Sequence, residues 1–198
     1  MTDGAGLRER KKQRTRQALI AAAVRLFTEQ GYEQTSVAQI AAAAEVTTRT
    51  FFLHFPSKDD VLFADAGTRI DLGLRTIAER QPEEPMADVL ARVMTQMINN
   101  TTSGDHANGL AALRARLVMS TPTLLARMLH RLLGAQVELA DALHRAYPAE
   151  LDEVAAAAVI GALTGAVSTA ALASHARGDD PQGVRAAMLR ATTIALPR

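Results

Sequence analysis

No cysteine occurs anywhere in the chain, which excludes disulfides and thiolate metal sites and suits a reducing cytosol. Tryptophan is missing too, and aromatics make up only 4% of the 198 residues. A core must therefore be built from alanine, leucine, valine, isoleucine and methionine. The alternation of β-branched and polar residues that strands prefer is also lacking. Alanine and leucine, which cost least in a helix, dominate instead, so composition points to an all-α protein. There is no glycine-rich phosphate loop, no HExxH and no GxSxG elbow. The five histidines (54, 106, 130, 144 and 175) show no metal-ligand spacing, since His130 and His144 are too far apart for one helical site. An enzyme is not expected, nor any catalytic residue, cofactor or metal. A secretory leader is not expected either. The basic stretch Arg8–Arg16 does precede apolar residues, but Arg25 and Glu29 interrupt them and no cleavage-like segment follows. The expected location is the cytoplasm.

Net charge is +1, which by itself implies no partner. Its distribution says more. Residues 1–25 hold seven basic side chains against two acidic ones, whereas residues 61–198 are nearly balanced. A basic end on a neutral body is either a phosphate-seeking arm or a solvated tail, and charge alone leaves both open.

Residues 1–7, with Gly4 and Gly6, read as disordered, and a helix is expected from about Arg8. Leu19, Ala22, Ala23, Leu26 and Phe27 form one apolar stripe along it, and Gly31 is placed to cap its end. Ser36 and Gln39 make a capping box for a short helix whose inward face is Val37, Ile40, Ala41 and Ala44. Thr47 can cap a second short helix, which must stop before Pro56. Ser57 then caps a third, with Asp59 and Asp60 in its first turn. Two helices of about two turns cannot stand alone, so flanking helices have to prop them. That is the anatomy of a helix-turn-helix. Further helices are expected over Met86–Asn100, Leu110–Ser120, Pro122 to Tyr147, Leu151–Arg177 and Val184–Leu196, with a polar loop over residues 101–108. The expected division is an arm start at 1–8, a helix-turn-helix DNA-binding domain at 9–56, and a ligand-binding and dimerisation domain at 57–198.

Three motifs occur in order between Arg10 and Phe63. They are Phe27, Gly31 and Tyr32 as FxxxGY, Thr35–Ala41 as TSVxxIA, and Thr50–Leu62 as TFFxHFPSKDDVL. Any one alone is weak; together, in the stretch IAAAVRLFTEQGYEQTSVAQIAAAAEVTTRTFFLHFPSKDDVLFA, the sequence resembles the TetR family of bacterial repressors. The resemblance covers about the first third of the chain. It implies an N-terminal three-helix DNA-binding domain, a C-terminal helical bundle for ligand sensing and dimerisation, a homodimer on a palindromic double-stranded operator, and release by a small-molecule effector.

Physical reasoning on the same residues agrees. A recognition helix needs short polar or basic side chains at its N-terminal end to reach base edges in the major groove. Thr47, Thr48 and Arg49 supply them, and Arg49 can pair bidentately with guanine. Thr47 could equally be only a cap, and Arg49 only solvated. Phe52 stands where the family usually carries a phosphate-binding tyrosine, so only apolar contact is left to it. The resemblance gives His54 a phosphate contact, and Ser36 is a further DNA-binding candidate. Lys58, in a helix first turn, can share a phosphate with exposed N–H groups. Lys11, Lys12 and Arg14 of the arm can follow the DNA backbone. Two departures from the family pattern matter. Ala38 replaces a base-reading arginine, and Glu45 stands where the turn usually has glycine.

Between Val154 and Ala173 lie 20 residues without formal charge. A membrane span is the competing reading by length, but alanine, glycine, serine and threonine give little transfer gain and no basic cluster flanks them. Ala157, Gly161, Gly165, Ser168 and Leu172 are instead the expected dimer surface, where small residues let helices approach closely. Candidates for the effector pocket are Met94, Met97, Leu113, Arg116, Met119, Met128 and Leu132. Such a methionine-rich set is equally what plain core looks like. A helical adaptor that touches no nucleic acid is the rival reading of the whole chain.

Overall fold

The computed structural model describes residues 3–64, 66–104 and 109–196. Among these the chain forms ten helices and no strand. They are α1 (Asp3–Glu29), α2 (Val37–Ala43), α3 (Thr48–His54), α4 (Lys58–Leu62), α5 (Ala66–Ala78), α6 (Met86–Gly104), α7 (Leu110–Ser120), α8 (Pro122–Ala146), α9 (Glu153–Ala176) and α10 (Pro181–Ala195). Two compact units result, Met1–Ala64 with Ala107–Leu117, and Asp65–His106 with Val118–Arg198. The first runs past the boundary expected at residue 56. Val61, Leu62 and Phe63 are buried, and the Tyr32 hydroxyl donates to the Asp59 carboxylate, so α4 is part of this unit's core.

In the first unit, Leu19, Ile20, Ala22, Ala23 and Phe27 line the buried side of α1, while Leu26 is only half-buried. Gly31 takes a left-handed φ of 89°, as its capping role requires. The Ser36–Gln39 capping box is formed in both directions, and Thr47 accepts from the Thr50 N–H at the start of α3. Glu45 holds φ 55°, a conformation that favours glycine.

Four local expectations need correction. The helix α1 begins at Asp3 and not near Arg8, so residues 3–7 of the expected disordered start are helical, and residues 1 and 2 lie outside the described residues. The Ser57 hydroxyl makes no cap; it donates to the Asp60 carboxylate at 2.7 Å. The stretch after Ser57 forms two helices, α4 and α5, instead of one. The helix α6 continues to Gly104, four residues beyond the expected end, while residues 105–108 of the expected loop lie outside the described residues.

The second unit is built on α5, α6, α8, α9 and α10, whose buried side chains include Ile77, Leu90, Ile98, Leu139, Leu143, Ile160 and Leu163. Gly73 permits the close approach of α5. A Cβ there would lie 3.0 Å from the Met97 sulfur and 3.1 Å from a Leu139 methyl. The helix α9 is long and apolar enough to cross a membrane, with mean hydropathy 1.8. In this fold its Ala156, Ile160, Leu163 and Val167 enter the unit's core.

Candidate nucleic-acid interface

A helix as short as α3 keeps its shape here because one face is locked and the other is free. Phe51 is fully buried, and Phe55, the residue that ends the helix, is 2% exposed. Their rings lie 5.8 Å apart, and Phe52 meets Phe51 edge-on at 5.5 Å. On the outer side Thr48, Arg49, Phe52 and Leu53 are all exposed. At 100° per residue these four share one face, opposite Phe51. Leu53, 75% exposed, was not among the residues picked from the sequence. Its only signal would have been that 48, 49, 52 and 53 share a face, since an apolar residue in a helix is read as core by default.

The Thr47 hydroxyl is engaged twice, with the Thr50 N–H at 3.1 Å and the Thr50 hydroxyl at 3.0 Å. It is thus a cap first, with its remaining surface exposed. Ser36 is likewise exposed while capping α2. Ala38 is exposed on α2 and brings no polar group to the surface.

Lys11, Lys12 and Arg14 are exposed along α1. Arg16, counted at sequence level with the same arm, has another task. Its guanidinium donates to the Ala64 carbonyl and lies 4.5 Å from the centre of the Phe55 ring, tying α1 to the end of α4. Near the end of α3, His54 is half-buried and its imidazole is held below the ordinary value of 6.5. Burial is the main cause, followed by the positive charges of Arg16 and Lys12. Lys12 thus stands near enough to the end of α3 to be felt there.

Lys58 is placed differently from the phosphate contact expected of it. Its ammonium donates to the carbonyls of Tyr32 at 2.8 Å and Thr35 at 3.1 Å, and it lies 4.3 Å from the centre of the Tyr32 ring. It closes the α1–α2 loop from below, a bond pattern no local sequence signal announces. Arg114 does similar work within the unit, donating to the Leu62 carbonyl at 3.1 Å.

One unit therefore gathers a basic helix, a doubly capped helix-turn-helix and an outward face carrying Thr48, Arg49, Phe52 and Leu53. Residues 19–64 match the family model of the bacterial regulatory proteins, tetR family. By this segment the chain is similar to the TetR family. It is 39% identical over 132 residues to the HTH-type transcriptional regulator TcmR of Streptomyces glaucescens, a match covering 65% of this chain and 58% of that protein. It is 31% identical over 102 residues to the regulator AcrR of Shigella flexneri, covering 48% of this chain and 45% of that one. The chain thus spans about half the length of these two relatives. The fold extends further. The fatty acid degradation regulator FadR of Bacillus halodurans superposes with a TM-score of 0.63 over 92% of this chain and 94% of its own, at 21% identity. Thermus thermophilus FadR, solved with lauroyl-CoA, gives 0.54 over 92% and 95%, also at 21% identity. All are described as TetR-family or HTH-type regulators or as a degradation regulator, none as an enzyme.

The residues picked for an effector pocket are scattered. Leu113 and Arg116 belong to the first unit, the others to the second. Met94 is core, Met97 packs on that core, Met128 and Leu132 are half-buried, and Met119 is 66% exposed. Of the set picked for a dimer surface, Ala157 is exposed, and Gly161, Gly165, Ser168 and Leu172 are half-buried on α9.

Proposed function

We propose that this chain is a cytoplasmic TetR-family repressor that binds a palindromic operator as a homodimer and is released by a small-molecule effector. The observation that carries the DNA reading is the outer face of α3, where Thr48, Arg49, Phe52 and Leu53 stand exposed over a buried Phe51. Arg49 reads a base edge, Thr48 and Phe52 supply hydroxyl and apolar contacts, and Ser36 and Thr47 add contacts with whatever capacity their caps leave. Lys11, Lys12 and Arg14 neutralise phosphates, and His54 adds a contact at the end of α3. Lys58 serves by holding the loop behind the helix. One such helix reads too few base pairs to pick a site in a genome, so two are needed on half-sites related by two-fold symmetry. The outward side of α9, with Ala157, Gly161, Gly165, Ser168 and Leu172, is the surface proposed to join the subunits; on this reading α9 is an interface helix and not a membrane span. Release by an effector is supported by the relative solved with lauroyl-CoA.

Fluorescence anisotropy on the chain's own upstream DNA and on random duplex, at two salt concentrations, tests this. Arg49→Ala is expected to lose about 1–3 kcal/mol on the specific site and little on random DNA. Lys11→Ala with Lys12→Ala is expected to weaken both duplexes alike and to flatten the salt slope by about one unit for each phosphate left unneutralised. A complete lack of binding to any duplex would favour a helical adaptor instead, and equal losses for Arg49→Ala on both duplexes would remove its base-reading role.

A further inference from the structure

The second unit carries a cleft of about 550 Å³ between α5, α8 and the start of the loop that follows α5. Its walls are apolar, with Leu74, Ile77 and Ala78 on one side and Ala142 and Ala146 on the other. Its polar edge consists of two arginines, Arg80 and Arg145, and no carboxylate lines it. It is an open trough whose volume falls within the range of small-molecule sites and whose apolar walls carry a few placed charges.

Arg80 is held ready. Its Nη1 donates to the carbonyls of Gln81 and Pro82, both at 3.0 Å, and its guanidinium lies 4.6 Å from the centre of the Tyr147 ring. Nε and Nη2 take part in no hydrogen bond among the described residues. The loop under it is stapled from three sides. The Tyr147 hydroxyl donates to the Glu84 carbonyl at 3.0 Å, the Gln81 N–H donates to the Glu84 carboxylate at 3.1 Å, and Arg92 pairs with that same carboxylate. Arg145 is exposed in the last turn of α8 and has no hydrogen bond or ion pair among the described residues. Two guanidinium groups with unused donors thus face an apolar trough, one of them fixed in advance. A fixed donor loses little freedom when it binds, which favours affinity.

We propose that this cleft binds a small anionic amphiphile, a flat or chain-like apolar body bearing one oxyanion held between Arg80 and Arg145. The proposal deepens the effector part of the proposed function by assigning a place and a ligand class. None of the seven residues picked for an effector pocket lines this cleft. The test contains no DNA, so its failure leaves the DNA-binding reading standing.

The probes are 8-anilinonaphthalene-1-sulfonate and its uncharged counterpart N-phenyl-1-naphthylamine, titrated by fluorescence into the full chain. Arg145→Gln is expected to weaken the sulfonate about tenfold, the size of one charge-assisted contact, and to leave the neutral probe unchanged. Ala78→Trp, at an exposed position, is expected to fill the trough and weaken both probes while helicity by circular dichroism stays the same. Three results would each overturn the proposal: no saturable binding of the sulfonate to the unaltered chain, wild-type affinity in Ala78→Trp, or equal effects of Arg145→Gln on the two probes.

Discussion

The Lys58 ammonium, set between the carbonyls of Tyr32 and Thr35, shows how much of the helix-turn-helix unit's shape depends on residues that never face outward. Removing it leaves carbonyls of the α1–α2 loop without their charged donor. Lys58→Met keeps most of the stem that passes the Tyr32 ring and should cost about 1–3 kcal/mol of stability, read by urea denaturation. His54 makes a second prediction at this scale. Its imidazole is held below 6.5 by burial and by Arg16 and Lys12, so in free protein it is neutral at pH 7. A base depressed by folding stabilises above its unfolded value and loses that contribution as pH falls from 6.5 down through its lower folded value, because in that range the unfolded chain holds the proton more readily. DNA reverses the sign. A phosphate beside the ring favours the charged form, so operator affinity should rise as pH falls from about 7.5 to 5.5. His54→Gln should flatten that rise in anisotropy titrations; an unchanged pH slope in this variant would exclude a phosphate near His54.

At the scale of elements, the two turns of the helix-turn-helix unit are shaped by φ angles more than by contacts. Gly31 at φ 89° has no steric penalty, whereas Glu45 at φ 55° carries one. Glu45→Gly should stabilise the first unit by about 1 kcal/mol in denaturant titrations, since glycine has no Cβ to strain in that region. These turns are readable from the sequence because cap and turn chemistry is local. Ser36 with Gln39, Thr47 and Gly31 each act on backbone groups close by in the chain. The helix ends that depart from expectation are those where local signals compete. Gly104 looks like a loop residue yet ends α6, while Ser57 does stand at the start of α4 but gives its hydroxyl to Asp60 instead of to a cap.

For the whole molecule, the small-residue face of α9 is the feature with the largest consequence. A Cβ added at Gly161 or Gly165 would meet nothing within 4 Å in the single chain, so there is room for a side chain to leave the backbone at either position. Gly165→Arg should therefore keep thermal stability at low concentration while halving the mass seen by light scattering, and operator affinity should collapse with it. A dimer that survives this substitution would place the subunit contact elsewhere.

The residues alone determined the helical class, the order of the short helices and the outward tip of α3, because caps, helical periodicity and breakers act over one or two turns. Only the tertiary structure decided that Arg16 and Lys58 serve the interior, that Leu53 is exposed, that α4 joins the first unit, and that Arg80 and Arg145 share one cleft. Those pairings link residues far apart along the chain, or turn on which side of a helix its neighbours cover. Periodicity can mark a face as apolar or polar, but it carries no information on what will be packed against it.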